Sequence, residues 1–345
     1  MKQKSTSAKQ RVHNKILKHL KNKEIFSIYK DFKKLLNVNN SYAVGVSGGS
    51  DSLALAYFTK CFSLQNKTKF FYFIVDHKLR QGSTIEAKKV LSILKKSQIK
   101  CKILTWRGSK PLANIQSIAR NKRYSLITKE CKKNKIKNLL LGHQIEDLYE
   151  NFFLRLLRGS GLKGLISMDS ISEENVEGIK IFRPLINIEK EKLVNVSKNA
   201  FNFFVKDPSN LDEKFKRIRL RKLIDNLKSE GLDTNKLKLS IKNLKDSDKT
   251  IKFYVTKNIK ENTVYFETKK KNILKKNFFY QPNEIIFRCF SNILRKISNK
   301  YYAPRGKSIM DLINKIKLNK LKKTTLGGCL IEKINESVLI SKEKP

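Results

Sequence analysis

The sequence predicts an α/β protein: a doubly wound parallel sheet followed by a smaller, mainly helical α+β domain. Three observations carry this reading. Short apolar, β-branched runs alternate with helical periodicity through the first two hundred residues. The first such run ends in a glycine–serine loop that leads straight into helix-forming residues. After Pro208 the alternation stops and the chain turns polar and lysine-rich.

Taken in order, residues 1–36 open with "MKQKSTSAKQRVHNKILKHLKNK", which has no apolar core of a secretory signal and reads as a basic helical extension. Residues 37–215 form the expected sheet domain. "YAVGV" (42–46) is a buried strand, and "LALAYFTKCF" (53–62) the helix after it. "KFFYFIV" (69–75), "KCKILTW" (100–106) and "KNLLLG" (137–142) are the next strands. Helical segments at 84–96, 112–133 and 146–158 follow them in turn. Residues 216–345 form the second domain, opened by the basic helix in "DEKFKRIRLRKLIDNLK". Strand-like pieces at 251–256 and 262–267, helices near 283–297 and 306–319, and a closing hairpin in "TTLGGCLIEKINESVLISKEK" complete it.

Composition bounds the partners. Against 30 acidic residues stand 75 Lys and Arg, a formal net charge of +45. Such a charge favours a polyanion, because each neutralised phosphate releases condensed counterions. It does not localise that partner, since residues 211–345 carry +20 and the remainder +25. The five cysteines are scattered with no C-x-x-C, which argues against a disulfide framework or thiolate metal site and fits a reducing, cytoplasmic setting. No apolar run approaches a membrane span.

The chemistry starts at "VGVSGGSDS" (44–52). Glycines and serines between a strand and a helix turn backbone N–H groups toward an anion. Gly48 and Gly49 permit close backbone approach, and Ser47, Ser50 and Ser52 offer hydroxyls to phosphate oxygens. Asp51 would repel a bare phosphate, so it implies a divalent cation, Mg²⁺, bridging carboxylate and phosphates. Later strand ends add more groups. "VDHKLR" brings Asp76, His77 and Arg80 to the same crevice, and "ARNKRY" sets Arg120 and Arg123 on one helix face. After the fourth strand, His143, Asp147 and Glu150 share a helical face, with Arg155 and Arg158 beyond. An acidic pair beside a polyphosphate calls for a metal or a cationic substrate.

S-G-G-x-D-S, V-D-H-x-L-R, A-R-x-x-R-Y, G-H-x-x-x-D-x-x-E, L-R-G-S-G, R-P-L (183–185) and D-P-S-N with R-x-R-x-R (207–221) occur here in that order. The set resembles the tRNA(Ile)-lysidine synthases, members of the N-type ATP pyrophosphatase (PP-loop) superfamily. The match is strong over about 40–225, and "PRGKS" and "TLGGCLIEK" resemble the second domain of shorter members. The resemblance implies an adenine nucleotide α-hydrolase-like, Rossmann-like fold. It also implies ATP-dependent adenylation of the C2 oxygen of the wobble cytidine in a CAU-anticodon tRNA(Ile), then displacement of AMP by free L-lysine. ATP is then expected against Ser47, Gly48, Gly49, Ser50, Asp51, Ser52, Asp76, His77, Arg80 and His143, with Asp51 on magnesium. Asp51, Asp147 and Glu150 are the expected catalytic carboxylates; whether the last two bind lysine, hold metal or deprotonate the amine stays open. Arg120, Arg123, Arg155, Arg158, Arg217, Arg219 and Arg221 are candidates for tRNA, the last three equally for domain packing. A homodimer is consistent with the resemblance.

The chain departs from the family's G-H-x-x-D-D-Q-x-E-T in carrying Glu146, Leu148 and Asn151. This puts the glutamine's hydrogen bond in doubt, not the reaction class. Rival readings are a tRNA 2-thiolation enzyme, which would need positioned cysteines, and an amidotransferase-coupled relative, which would need a glutaminase. A non-catalytic RNA-binding protein is the third, and the retained Asp51, Asp147 and Glu150 argue against it.

Overall fold

Tyr42–Val46 (β1) is the middle strand of a five-stranded parallel sheet ordered β3-β2-β1-β4-β5. Its partners are β2 (Phe70–Asp76), β3 (Cys101–Thr105), β4 (Asn138–Leu141) and β5 (Lys180–Phe182). The computed structural model describes residues 2–79, 82–108, 111, 115–171, 178–205, 214, 216–268, 271–300 and 303–343. β1 pairs with β2 on one edge and β4 on the other, Tyr42 opposite both Phe70 and Asn138. The strand order therefore reverses at β1/β4, and the crevice beyond their carboxyl ends is where a doubly wound sheet binds ligands.

Alternation along β1 explains the layers. Val44 and Val46 enter one core with helices α1 (Lys2–Lys18), α2 (Lys23–Lys34), α3 (Ser50–Asn66), α4 (Ser83–Lys96) and α8 (Lys190–Phe201). Ala43 enters a second core on the opposite face with Ile127 and Cys131 of α5 (Ile115–Lys133). The first four strands lie within one residue of their expected ends, because continuous apolar runs leave little choice of register, while the three-residue β5 carries too short a run to be expected.

The chain divides into two units, Met1–Leu232 and Asp233–Pro345. The division falls after the basic helix α9 (Lys216–Ser229) rather than at 215/216. Ile218, Leu220 and Ile224 of α9 are buried, and the helix packs on α6 (Ile145–Leu156), which the single-turn α7 (Leu162–Leu165) follows. The first 36 residues are also no appendage. Ile16, Ile25, Ile28, Tyr29 and Phe32 lie in the sheet unit's core, and Tyr29, Phe32 and Phe58 form an aromatic cluster.

In the second unit, residues 251–256 belong to one 29-residue helix, α10 (Thr234–Asn262), and form no strand. The β-branched and aromatic side chains of "IKFYVT" suggest extended structure. Burial at Leu237, Ile241, Asp248, Val255 and Asn258 instead follows the helical period. Asp248 accepts an ion pair from the buried Arg288 of α11 (Asn283–Ser298), which also bonds Glu284 at 2.6 Å. Five antiparallel strands, ordered β6-β7-β10-β9-β8, pack with α11 and α12 (Gly306–Lys317). They span Thr263–Phe266, Lys271–Leu274, Lys323–Leu326, Cys329–Ile334 and Ser337–Lys342 for β6 to β10. The expected closing hairpin is thus two successive hairpins, β8-β9 and β9-β10, and the polar β7 went unrecognised. Among the described residues no helix is long and apolar enough to cross a membrane.

Candidate active site

The loop after β1 is held by its own last serine. Ser52 Oγ accepts from the N–H groups of Ser47 and Gly48, both at 3.1 Å, and donates to the Gly49 carbonyl at 3.0 Å. Ser52 therefore shapes the loop from inside, which leaves Ser47 exposed beside the N-terminus of α3, where Gly49 caps the helix without a side chain. Of the two glycines only Gly48 has positive φ (+90°); a Cβ there would meet Val90 Cγ2 at 2.6 Å and Val205 Cγ2 at 3.0 Å. From α8, Ser197 Oγ donates to the Ser50 carbonyl at 2.5 Å and fixes the first turn of α3.

β4 delivers the second wall. At Gly142 a Cβ would lie 2.8 Å from the Asp51 carbonyl oxygen and 3.0 Å from Ser52 Cα, so the end of β4 touches the first turn of α3 backbone to backbone. Two residues later Gln144 caps α6. Its side chain accepts from the Glu146 N–H at 2.7 Å, while its own N–H donates to Asp147 Oδ2 at 3.0 Å. This brings Glu146 and Asp147 into the field of Asp51. Burial pushes the Asp51 carboxyl up to about 6, Asp147 and Glu146 add to the rise, and Ser50 and Lys190 oppose it. Burial also raises Asp147, Glu146 and Glu150 above the usual carboxylate range.

Glu150 is 2% exposed and forms a short ion pair with Arg221 of α9. The three arginines of R-x-R-x-R therefore separate. Arg221 pairs with Glu150, Arg217 lies in the field of Asp147 and Glu150, and Arg219 donates to the Lys214 carbonyl at 3.1 Å.

A basic flank lies around His143. Burial drives its imidazole well below the ordinary value, and Arg183, Arg120, Arg217 and Arg123 drive it further, so the ring is neutral. Arg120 bonds and stacks on Tyr124, with its guanidinium 5.2 Å from the ring centre. His77 stands edge-on to Trp106 at 6.3 Å; burial and Arg123 lower it to about 4. Asp76 is committed to its own turn, accepting from Thr84 at 2.6 Å, Ser83 at 2.9 Å and the Lys78 N–H at 3.0 Å. Burial raises its carboxyl, but these bonds outweigh that and hold it below the usual range. Arg155, on the last turn of α6, and Arg158 just beyond it are exposed, at the opposite end of that helix from Asp147. Arg80 and the D-P-S-N segment lie outside the described residues.

Four positions escaped the sequence reading. Gln144 shows only as Q-x-x-D, an N-cap pattern with an uncommon first residue. Arg183 lies in R-P-L, to which no role was assigned; it is buried, bonds the Asp169 carbonyl at 3.0 Å and has a buried Nε without a partner among the described residues. Lys190 and Ser197 come from α8, which carries no motif. Of the departures from the family pattern, Leu148 is buried and Asn151 bonds Ser167 at 3.2 Å. Among the described residues no group of three or more His, Cys, Asp and Glu could hold a metal ion by itself.

Residues 14–227 match the PP-loop domain family model. The tRNA(Ile)-lysidine synthase of Wolbachia pipientis wMel is 34% identical over 308 residues, 88% of this chain and 71% of that protein. The enzyme of the same name from the Wolbachia of Brugia malayi is 33% identical over 325 residues, 93% of this chain and 75% of that protein. A U34-tRNA thiolase from Methanococcus maripaludis, solved with its [4Fe-4S] cluster, matches with a TM-score of 0.55 at 19% identity. It covers 65% of this chain and 79% of its own, and shares the fold. A PP-loop domain over most of its length and this similarity to curated relatives place the chain in the tRNA(Ile)-lysidine synthase family.

Proposed function

We propose that this chain joins free L-lysine to C2 of the wobble cytidine of a CAU-anticodon tRNA(Ile), using ATP in two steps within one crevice. The observation that carries the reading is the meeting, at the ends of β1 and β4, of an anion-binding loop, a cluster of carboxylates and a flank of arginines. In the first step the cytidine C2 oxygen attacks the α-phosphorus of ATP and pyrophosphate leaves. In the second, the lysine ε-amine, having lost a proton, attacks C2 and AMP departs with that oxygen.

Each group has a task set by its surroundings. The N–H groups at the start of α3 and the Ser47 hydroxyl bind the departing phosphates. One or two carboxylates with substrate phosphates suit magnesium better than an all-protein cage, and Asp51 is the carboxylate placed to share it. Such an ion, when bound, supplies charge neutralisation on the pyrophosphate. His143, kept neutral, serves as an uncharged hydrogen-bonding group. Asp147 and Glu150 receive the lysine ammonium, which explains carboxylates beside a polyphosphate. Arg120, Arg123 and Arg217 face the RNA.

The test measures pyrophosphate release and lysine incorporation with a CAU-anticodon tRNA(Ile) transcript. Glu150→Ala is expected to keep pyrophosphate release and lose lysine incorporation. A folded preparation that puts no lysine on the wobble cytidine overturns the reading.

The second unit offers a surface for the same RNA. On α10, Phe253 and Tyr254 are 65% and 49% exposed, set edge-to-face at 5.4 Å, with Lys249, Lys257 and Lys260 exposed on the same helix. Replacing both rings with alanine is expected to weaken tRNA binding by about 1–3 kcal/mol, the worth of one stacked base. The salt dependence of binding should stay unchanged, because no charge is removed. Filter binding across a salt series checks both.

A further inference from the structure

In the free chain the carboxylate that would receive the lysine ammonium already holds a cation. Arg221 Nε donates to Glu150 Oε1, and Glu150 Oε2 is buried without a hydrogen-bond partner among the described residues. The partners are 71 residues apart, on α6 and α9. The guanidinium also lies in the field of Asp147 and Asp51, so one arginine balances the carboxylates assigned to substrate and metal. A lysine ammonium brought to Glu150 beside Arg221 would face a like charge and share an acceptor already in use.

The two ends of the ion pair are anchored differently. Glu150 is 2% exposed and held in a helix whose N-terminus is capped at Gln144, whereas the Arg221 side chain is 35% exposed. One turn earlier on the same face of α9 is the exposed Arg217, and Lys216 and Lys222 are exposed on that helix too. A polyanion lying on α9 would compete with Glu150 for the Arg221 guanidinium, which binds phosphate bidentately at least as well as carboxylate.

We infer that Arg221 is a specificity latch on the lysine site: it stands in for the substrate ammonium until RNA on α9 draws it away. The exchange replaces one cation by another, so the buried Glu150 carboxylate keeps a partner at each stage. Free lysine would then gain the site only when a tRNA is present to accept it. The inference rests on the reading of Glu150 as the lysine-binding carboxylate.

The test measures radiolabelled L-lysine binding by equilibrium dialysis to the full chain, alone and with the CAU-anticodon transcript. Wild type is expected to bind lysine more tightly when tRNA is present. Arg221→Met, which keeps an unbranched apolar stem, is expected to bind lysine alone roughly tenfold more tightly than wild type, with tRNA adding little. If Arg221→Met does not fold, Arg221→Gln, which keeps an N–H donor without the charge, serves the same comparison. A variant that binds lysine alone no more tightly than wild type overturns the latch. Glu150→Gln separates the two levels: lysine affinity equal to wild type in the tRNA complex would overturn the assignment of Glu150 itself. A purely structural ion pair would leave the tRNA dependence of lysine affinity unchanged.

Discussion

Asp51→Asn is expected to stop pyrophosphate release while making the free protein more stable above pH 6. Burial raises the Asp51 carboxyl from 3.8 to about 6, and the neighbouring Asp147 and Glu146 add to the effect. The folded chain thus binds more protons than the unfolded one between about pH 4 and pH 6. Stability associated with this group is complete below the unfolded value and is lost as pH rises through about 6. Asparagine does not ionise, so its advantage should be near zero at pH 4. It should grow to on the order of 1–3 kcal/mol above pH 6. Denaturant melts of both proteins at pH 4 and pH 7.5 measure the difference. An asparagine variant that is less stable than wild type at pH 7.5 would show that the carboxylate serves structure rather than ligand binding.

Gly142→Ala should damage both fold and activity, although no charged or hydrogen-bonding group changes. The added methyl would meet the Asp51 carbonyl carbon and oxygen at 2.9 and 2.8 Å and Ser52 Cα at 3.0 Å. All three are backbone atoms of the first turn of α3, which Ser197 and Ser52 also restrain, so no flexible side chain can swing aside. Overpacking of this kind costs about 1–3 kcal/mol. Displacing the phosphate-binding turn by even part of an ångström should lower pyrophosphate release by about a hundredfold. Melts and pyrophosphate assays on the same preparation check both; full activity would mean that β4 and α3 can separate without harm.

Much of the fold was legible because its determinants are local. A run such as "YAVGV" can bury both faces only in a covered parallel strand, and the observed β1 spans Tyr42–Val46 as expected. Where local and long-range preferences conflict, the packing decides. "IKFYVT" has strand-forming residues, yet Val255 points into a helical pair with α11 and the segment stays in α10. The N-terminal helices look basic and detachable in sequence, but one side of each turn supplies Ile16, Ile25, Tyr29 and Phe32 to the core.

The same distinction divides the candidate site. By itself the sequence determined the strand–loop–helix unit with Asp51, and the spacing that sets Asp147 and Glu150 on one helical face. Both follow from backbone geometry over a few residues. Only the tertiary structure decided what each group is free to do. It turned Ser52 inward as the loop's clasp, committed Asp76 to its own turn, surrounded His143 with arginines and gave Glu150 to Arg221. Hydrogen-bond and ion-pair partners far apart in sequence are chosen by how helices pack across a sheet, and burial then sets the strength of each charge; neither is encoded in a motif.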